Sequence, residues 1–193
     1  MNIILSDKDF IISDVKVEHH TPVFYTEGLN FVANSKERGL HRLNIECDVH
    51  FSNVADIKAF QAFLLRVRGR ANPFTLSLQD ETDGKGFCNP MSSNVTARLG
   101  SNISIGNTST NLTGVIGQVE LGSLFQFEND TKVYTVIGLE GNKLEFYPAS
   151  RKPHLAGEPI NFKPTPLVRL SEDKHRLGYE VGSKISLKMW EVM

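Results

Sequence analysis

Cysteine is scarce in this sequence: Cys47 and Cys88 are the only two in 193 residues. No pair of cysteines at metal-ligand spacing exists, and two thiols so placed make neither a disulfide framework nor a zinc ribbon, so both are read as unpaired. Cys47 lies on the apolar face of a strand, where a small hydrophobe belongs, and Cys88 beside a Pro-containing loop. Charge of either sign is not in excess, with 21 Lys and Arg against 22 Asp and Glu and a net charge of -1. No whole-protein field is therefore available to attract nucleic acid or an anionic membrane. Long apolar runs are missing too. The opening Met-Asn-Ile-Ile-Leu meets Ser-Asp-Lys-Asp at once, too short for a secretory apolar region, which gives the expectation of a chain made in a cytoplasm. Residues 99–119 carry no charge, but 12 of the 15 from Gly100 to Gly114 are Gly, Ser, Asn or Thr, so no membrane span is expected. The sequons at Asn94, Asn102, Asn107, Asn111 and Asn129 then reflect Asn/Thr-rich composition and not glycosylation.

What is present is alternation. In the closing Lys184-Ile-Ser-Leu-Lys-Met-Trp-Glu-Val-Met193, Ile185, Leu187 and Met189 alternate with Ser186, Lys188 and Trp190, the period of a strand with one buried face. The best-matched partner is Leu43-Asn-Ile-Glu-Cys-Asp-Val-His-Phe51, with Leu43, Ile45, Cys47, Val49 and Phe51 on one face. If these two share a sheet, everything unlike them in between is an insertion.

The rest of the amino-terminal part is read as short strands at Phe10-Ile-Ile and Val15-Lys-Val, a Pro22-containing loop, and a charged loop tip at Asn34 to Gly39. The one convincing helix spans about 53–68: Ser52 or Asn53 can cap it, Val54, Ile57, Phe60, Phe63, Leu64 and Val67 recur at helical spacing, and Gly69 ends it. Arg66, Arg68 and Arg70 crowd its last turn, where the helix dipole favours cations; a phosphate or partner site is the other reading. Phe74 to Leu78 alternates as a further strand. A composition break follows at Gln79-Asp-Glu-Thr-Asp-Gly-Lys-Gly86.

Beyond the break, short strands succeed one another at hairpin spacing: Val95–Arg98, Asn102–Ile105, Leu124–Phe127, Lys132–Ile137, Lys143–Tyr147, Pro159–Phe162 and Leu167–Leu170. The expected fold is mainly β, with an α+β first domain of a sandwich-like sheet and one helix over residues 1–85 and 172–193. An inserted small β-barrel over 86–171 completes it.

Catalytic constellations are not found. Gly84-Lys-Gly86 lacks the spacing of a phosphate loop, no Gly-x-Ser-x-Gly elbow occurs, and Cys88 has no histidine near it in sequence. His19 and His20 are adjacent, which on a strand turns their rings to opposite faces, and no His-x-x-x-His pair exists. Asp80, Glu81 and Asp83 sit in a Gly-containing linker, where water would leave their acidity unshifted. Tyr134, Phe146 and Tyr147 could stack on bases or sugars, but alternation makes Phe146 core and Tyr147 partly exposed. No catalytic residue, metal ligand or cofactor is therefore assigned, and the chain is not read as an enzyme.

Six segments follow one another along the chain: Phe60-Gln-Ala-Phe-Leu-Leu-Arg-Val-Arg-Gly-Arg-Ala-Asn-Pro-Phe74, Asn111-Leu-Thr-Gly114, Glu120-Leu-Gly-Ser-Leu-Phe125, Lys132-Val-Tyr-Thr-Val136, Leu144-Glu-Phe-Tyr-Pro148 and Ile185-Ser-Leu-Lys-Met189. In this order they resemble the distal tail proteins of long-tailed bacteriophages. Ser123 stands where members of that family commonly have Asp. The resemblance implies a first domain that forms a ring, usually hexameric, around the tail channel, and an outward barrel of the oligonucleotide/oligosaccharide-binding type. It implies as partners the tail tube protein and the tail-tip hub with its receptor-binding or fibre proteins, and a place at the distal end of the virion's tail. A carbohydrate-binding accessory role, with a host glycan on the barrel, is the alternative. Specific nucleic-acid binding is disfavoured, because residues 86–171 show no basic stripe interleaved with aromatics.

Overall fold

A computed structural model of the chain describes residues 3–78 and 95–192. Cys88, the Asp80, Glu81 and Asp83 group, Gly84-Lys-Gly86 and the sequon at Asn94 lie outside the described residues.

The protein is mainly β. Strands β1 (Ile4–Ser6), β2 (Ile11–His20), β3 (Val23–Glu27), β4 (Ala33–Glu37) and β5 (Arg42–His50) precede the helix α1 (Val54–Val67). After it come β6 (Phe74–Ser77), β7 (Thr96–Leu99), β8 (Ser109–Ile116), β9 (Leu124–Phe127) and β10 (Tyr134–Glu140). β11 (Lys143–Tyr147), β12 (Pro159–Asn161), β13 (Leu167–Leu170) and β14 (Lys184–Glu191) complete the chain. A six-stranded sheet runs in the order β1-β6-β13-β14-β5-β2, and a closed barrel in the order β10-β11-β8-β7-β12-β9. All the barrel strands fall in sequence between β6 and β13.

The pairing expected of the closing strand is present. β14 runs antiparallel to β5 with Ile185 opposite Val49, Leu187 opposite Cys47 and Met189 opposite Ile45. These apolar residues point to α1, whose Ile57, Phe60, Phe63 and Val67 are buried against them. Edge-to-face contacts of Phe63 with Phe74 and Phe60 with Phe10, at 5.1 and 5.3 Å, fix the helix on the sheet. Asn53 caps α1, its side chain accepting from the Asp56 N–H at 2.9 Å, while the Asp56 carboxylate accepts from Ser52 N–H at 3.3 Å. The helix ends as Arg68 and Gly69 both turn left-handed, at φ 55° and 61°. Gly69 is also sterically required, since a Cβ there would stand 2.9 Å from the Asp173 backbone.

The opposite face of the sheet is polar. Lys184 and Ser186 both reach Asp48, at 2.6 and 2.5 Å, and Lys188 reaches Glu46 at 3.0 Å. These cross-strand pairs dress a face open to water and contribute little each.

Four expectations change. The segments expected as separate strands around Phe10-Ile-Ile and Val15-Lys-Val form the single edge strand β2, interrupted by a bulge where Asp14 takes φ 50°. Leu167–Leu170 is not a barrel strand: β13 pairs with β6 and β14, because alternation identifies a strand but not the sheet that receives it. Asn102–Ile105 contributes only the bridge between Ile103 and His154. The barrel instead uses β8, which buries only Thr110 and Leu112 and so carries almost no apolar signal.

β14 is central in its sheet, so removing Lys184 to Met193 strips Ile185, Leu187 and Met189 from the core, at roughly 1.5–3 kcal/mol each. That loss consumes most of the stability of an ordinary domain. Limited proteolysis of the truncated chain is expected to digest the amino-terminal part and leave a fragment containing Thr96 to Asn161. A resistant fragment containing α1, with the barrel digested, would show that β14 does not hold the sheet together.

Candidate functional site

The next residue on the buried face of β14, after Met189, is Glu191, and it is almost fully buried at 2 % exposure. A carboxylate there requires partners. Its Oε1 accepts from the Val133 N–H at 2.8 Å, and its Oε2 accepts from the Leu43 N–H at 3.2 Å and from the Lys132 ammonium. Lys132 itself is wholly buried. Leu43 belongs to β5, while Lys132 and Val133 lead into β10 of the barrel. One carboxylate thus ties the last strand to β5 of the sheet and to the barrel. Val133 and Leu124 continue the sheet's apolar core across the joint.

Two histidines flank the pair. His41 is buried, and its Nε2 shares a hydrogen bond with His19 Nδ1 at 3.0 Å, while its Nδ1 has no partner. Burial first, then the Lys132 charge and His19, pull His41 down to about 4, and burial and Lys132 also lower His19. The His41 ring stands edge-on to Tyr147 at 5.3 Å, and the Tyr147 hydroxyl donates to Glu37 of β4 at 2.8 Å. Arg42 lies over the ring of Trp190, 4.5 Å from its centroid. Burial, with the Asp48 charge, raises the Cys47 thiol to about 12, so this free cysteine is an inert core residue.

From Glu37 the second feature extends. β3 and β4 pair only with each other and form a two-stranded arm outside both the sheet and the barrel. Every residue of both strands is exposed. The arm is nevertheless rich in large apolar side chains: Val23, Phe24, Tyr25, Leu29, Phe31 and Val32 all face solvent. Its tip is closed by Phe31 N–H on Gly28 C=O at 2.9 Å and Gly28 N–H on Val32 C=O at 3.1 Å. Phe31 is held left-handed at φ 59° and is 86 % exposed. An aromatic residue seldom adopts that conformation, and strain of this kind gathers at working surfaces.

The residues singled out from sequence fall as follows. Asn34 to Gly39, expected to be a loop tip, is mostly the strand β4, because its polar residues pair with the apolar β3 and need no buried face of their own. Arg70 forms a bidentate pair with Asp173, at 2.6 and 3.1 Å, which holds that carboxylate near 2. Arg68 is the helix cap, and Arg66 stays exposed in the last turn. His19 and His20 do diverge: only His19 reaches His41. Tyr134 and Phe146 are buried in the barrel and Tyr147 is turned toward Glu37, so these rings present no stacking platform. Among the described residues, no group of three or more His, Cys, Asp or Glu could hold a metal ion, and no helix is long and apolar enough to cross a membrane.

Sequence reasoning missed the joint and the arm. Glu191 was detectable, since it continues the Ile185, Leu187, Met189 period onto a face that should be apolar. The arm's signal is an apolar sequence, Val23-Phe-Tyr and Leu29-Asn-Phe-Val32, that alternates with nothing. No protein-family model matches the chain, and no curated protein matches it.

Glu191→Gln keeps an acceptor for one of the two backbone N–H groups, sets an NH2 against the other, and removes the counter-charge of Lys132. Such a break costs about 3–5 kcal/mol, and the double variant with Lys132→Met should recover much of it. Denaturant midpoints of the single and double variants measure this. The pH dependence has a definite sign. Unfolded His41 titrates near its ordinary 6.5 and folded His41 near 4, so between these values the unfolded chain binds the proton more readily. Thermal stability is therefore expected to be undiminished above 6.5 and to fall as pH drops toward 4. A pH series of melting temperatures should show a shallower decline for His41→Gln.

Proposed function

We propose that this chain is a structural protein of a bacteriophage tail, a distal tail protein that assembles as a ring between the tail tube and the tail-tip receptor-binding apparatus. The observation that carries the reading is the arm. A two-stranded hairpin is at best marginally stable alone in water, and this one exposes six large apolar residues with no core beneath them. Single exposed apolar residues need no explanation, but a contiguous set on one projecting element marks a surface that works when covered. An element of that kind suits repeated association between subunits. The order of the tail-protein-like segments supplies the particular assembly.

The same reading makes the barrel an outward module, joined to the ring-forming part through Lys132, Val133 and Glu191. It also makes the chain's work mechanical. His41 and Lys132, both lowered first by burial, are held at the joint in structural contacts with His19 and Glu191. Tube protein, hub and fibre or receptor-binding proteins are the neighbours this reading requires. The barrel's described aromatic rings do not favour a glycan-binding role.

Gold-labelled antibody against the chain, applied to purified phage particles, is expected to mark the distal tail end. Negative-stain images of the concentrated protein are expected to show rings. Label on the capsid or neck would overturn the assignment.

A further inference from the structure

Lys132 and Glu191 hold an amine against a carboxyl group where water is shut out. Their side chains are 1 % and 0 % exposed, and Nζ donates directly to Oε2. A buried ion pair keeps two charges in a medium that penalises each of them. Burial, the largest influence on Lys132, favours the neutral amine over the ammonium, while the Glu191 charge opposes it. A desolvated lysine amine is a nucleophile. Its electrophile is already within one hydrogen bond, which supplies the proximity that an encounter in water lacks. Asp130, the next carboxylate, accepts from the Lys132 backbone N–H at 3.1 Å and from the Tyr134 hydroxyl at 2.7 Å, so Glu191 is the group that Nζ meets.

The two carboxylate oxygens are held unequally. Oε1 accepts from the Val133 N–H at 2.8 Å, a backbone donor placed to stabilise negative charge developing on a carbonyl oxygen. Oε2 has the Lys132 ammonium and, besides it, only the longer contact from the Leu43 N–H at 3.2 Å. Transfer of one proton from Nζ to Oε2 gives an amine and a carboxylic acid. The soft terminal torsion of the glutamate side chain lets the carboxyl face turn toward Nζ. The nitrogen lone pair then bonds to the carboxyl carbon, and the π pair moves onto Oε1 beside the Val133 N–H. As that oxyanion collapses, the bond to Oε2 breaks, and Oε2 takes a second proton from nitrogen and leaves as water. Two of the ammonium protons depart in the water and one stays on the amide nitrogen, so atoms and charge balance without a co-reactant. The amide oxygen keeps its bond from Val133, Leu43 gives up the weaker contact, and no buried charge remains. Exclusion of water opposes the reverse hydrolysis.

We propose that Lys132 and Glu191 condense in the folded protein to an isopeptide bond that joins the barrel covalently to the closing strand of the sheet. The ion pair forms on folding and is the precursor of the bond. The two residues stand 59 apart in sequence, so the bond closes a long loop and restricts the unfolded chain as well as the folded one. Barrel and sheet then separate only when a covalent bond is broken. The chemistry needs the fold alone, so it stands or falls independently of the tail assignment.

Mass spectrometry of the full-length protein, purified folded and then denatured, tests this directly. The intact mass is expected to lie one water below that of the sequence. Trypsin should fail to cut after Lys132 and should release a branched peptide in which the segment containing Lys132 is joined to the one containing Glu191. Chain recovered from denaturant should begin at the full mass and lose the water as it refolds. The paired variant Lys132→Met with Glu191→Leu, which leaves no buried charge behind, should unfold cooperatively and keep its full mass. Full mass in the folded, long-incubated natural chain would overturn the proposal, whatever the variant does. So would a water loss that persists in the paired variant, or one that peptide mapping places elsewhere, such as a succinimide at Asn129-Asp130.

Discussion

The carboxylate of Glu191 is the constraint around which the two parts of this protein are arranged. A charge buried this deeply is tolerated only with a counter-charge and filled hydrogen-bond positions, and Glu191 finds these on Leu43, Lys132 and Val133. Apolar contact alone would hold the barrel against the sheet, but many relative placements would satisfy it. The ion pair discriminates among them. It also locks the register of the closing strand: a slip of one residue would carry Glu191 to the solvent face along with Ile185, Leu187 and Met189, leaving Lys132 buried without a partner. Register, strand order and barrel placement are therefore conditions on the same atoms.

The remaining architecture divides by how each part treats its strand edges. The barrel closes through β9 and β10 and has no free edge, so it neither adds to the sheet nor borrows from it. The sheet is open, and its long edge strand β2 is blunted by the Asp14 bulge and by Lys16 and Glu18. The arm does neither. It pairs internally, leaves two short edges, and carries apolar side chains where the β2 edge carries charges. A chain that guards one exposed edge and leaves another element apolar treats the two surfaces differently.

Elements that bury one face of a regular period were legible from sequence. The α1 residues recur at helical spacing because a single stripe packs on the sheet, and β14 could be matched with β5 because both alternate cleanly over matching lengths. β8 was not legible, since a strand paired on both sides in a narrow barrel needs only Thr110 and Leu112 inside. The membership of β13 was hidden for a different reason: Val168 and Leu170 alternate in the same way whichever core receives them. Lys132 and Glu191 stand 59 residues apart in sequence and each looks like an ordinary surface charge. Only the phase of Glu191 with the apolar face of β14 betrays it, and nothing local names its partner. The arm escaped because its cue is a mismatch, apolar residues in a segment with no periodic face, which pattern reading assigns to loop.

Joint and arm are also physically continuous. Glu37, at the base of the arm, accepts from Tyr147 of the barrel; Tyr147 abuts His41 at the start of the sheet's long strand; and His41 bonds His19 at the end of β2. Sheet, barrel and arm thus meet around one tyrosine. Were the arm tethered only by its two peptide connections, at Pro22 and Gly39, those loops alone would set its direction. The bond from Tyr147 to Glu37 fixes the base in advance, and the hydrogen-bonded tip fixes the other end. Leu29 and Phe31 stay exposed at that end. The buried ion pair that sets the barrel's position therefore also helps to set where the arm points, because the tyrosine that aims it is carried by the barrel.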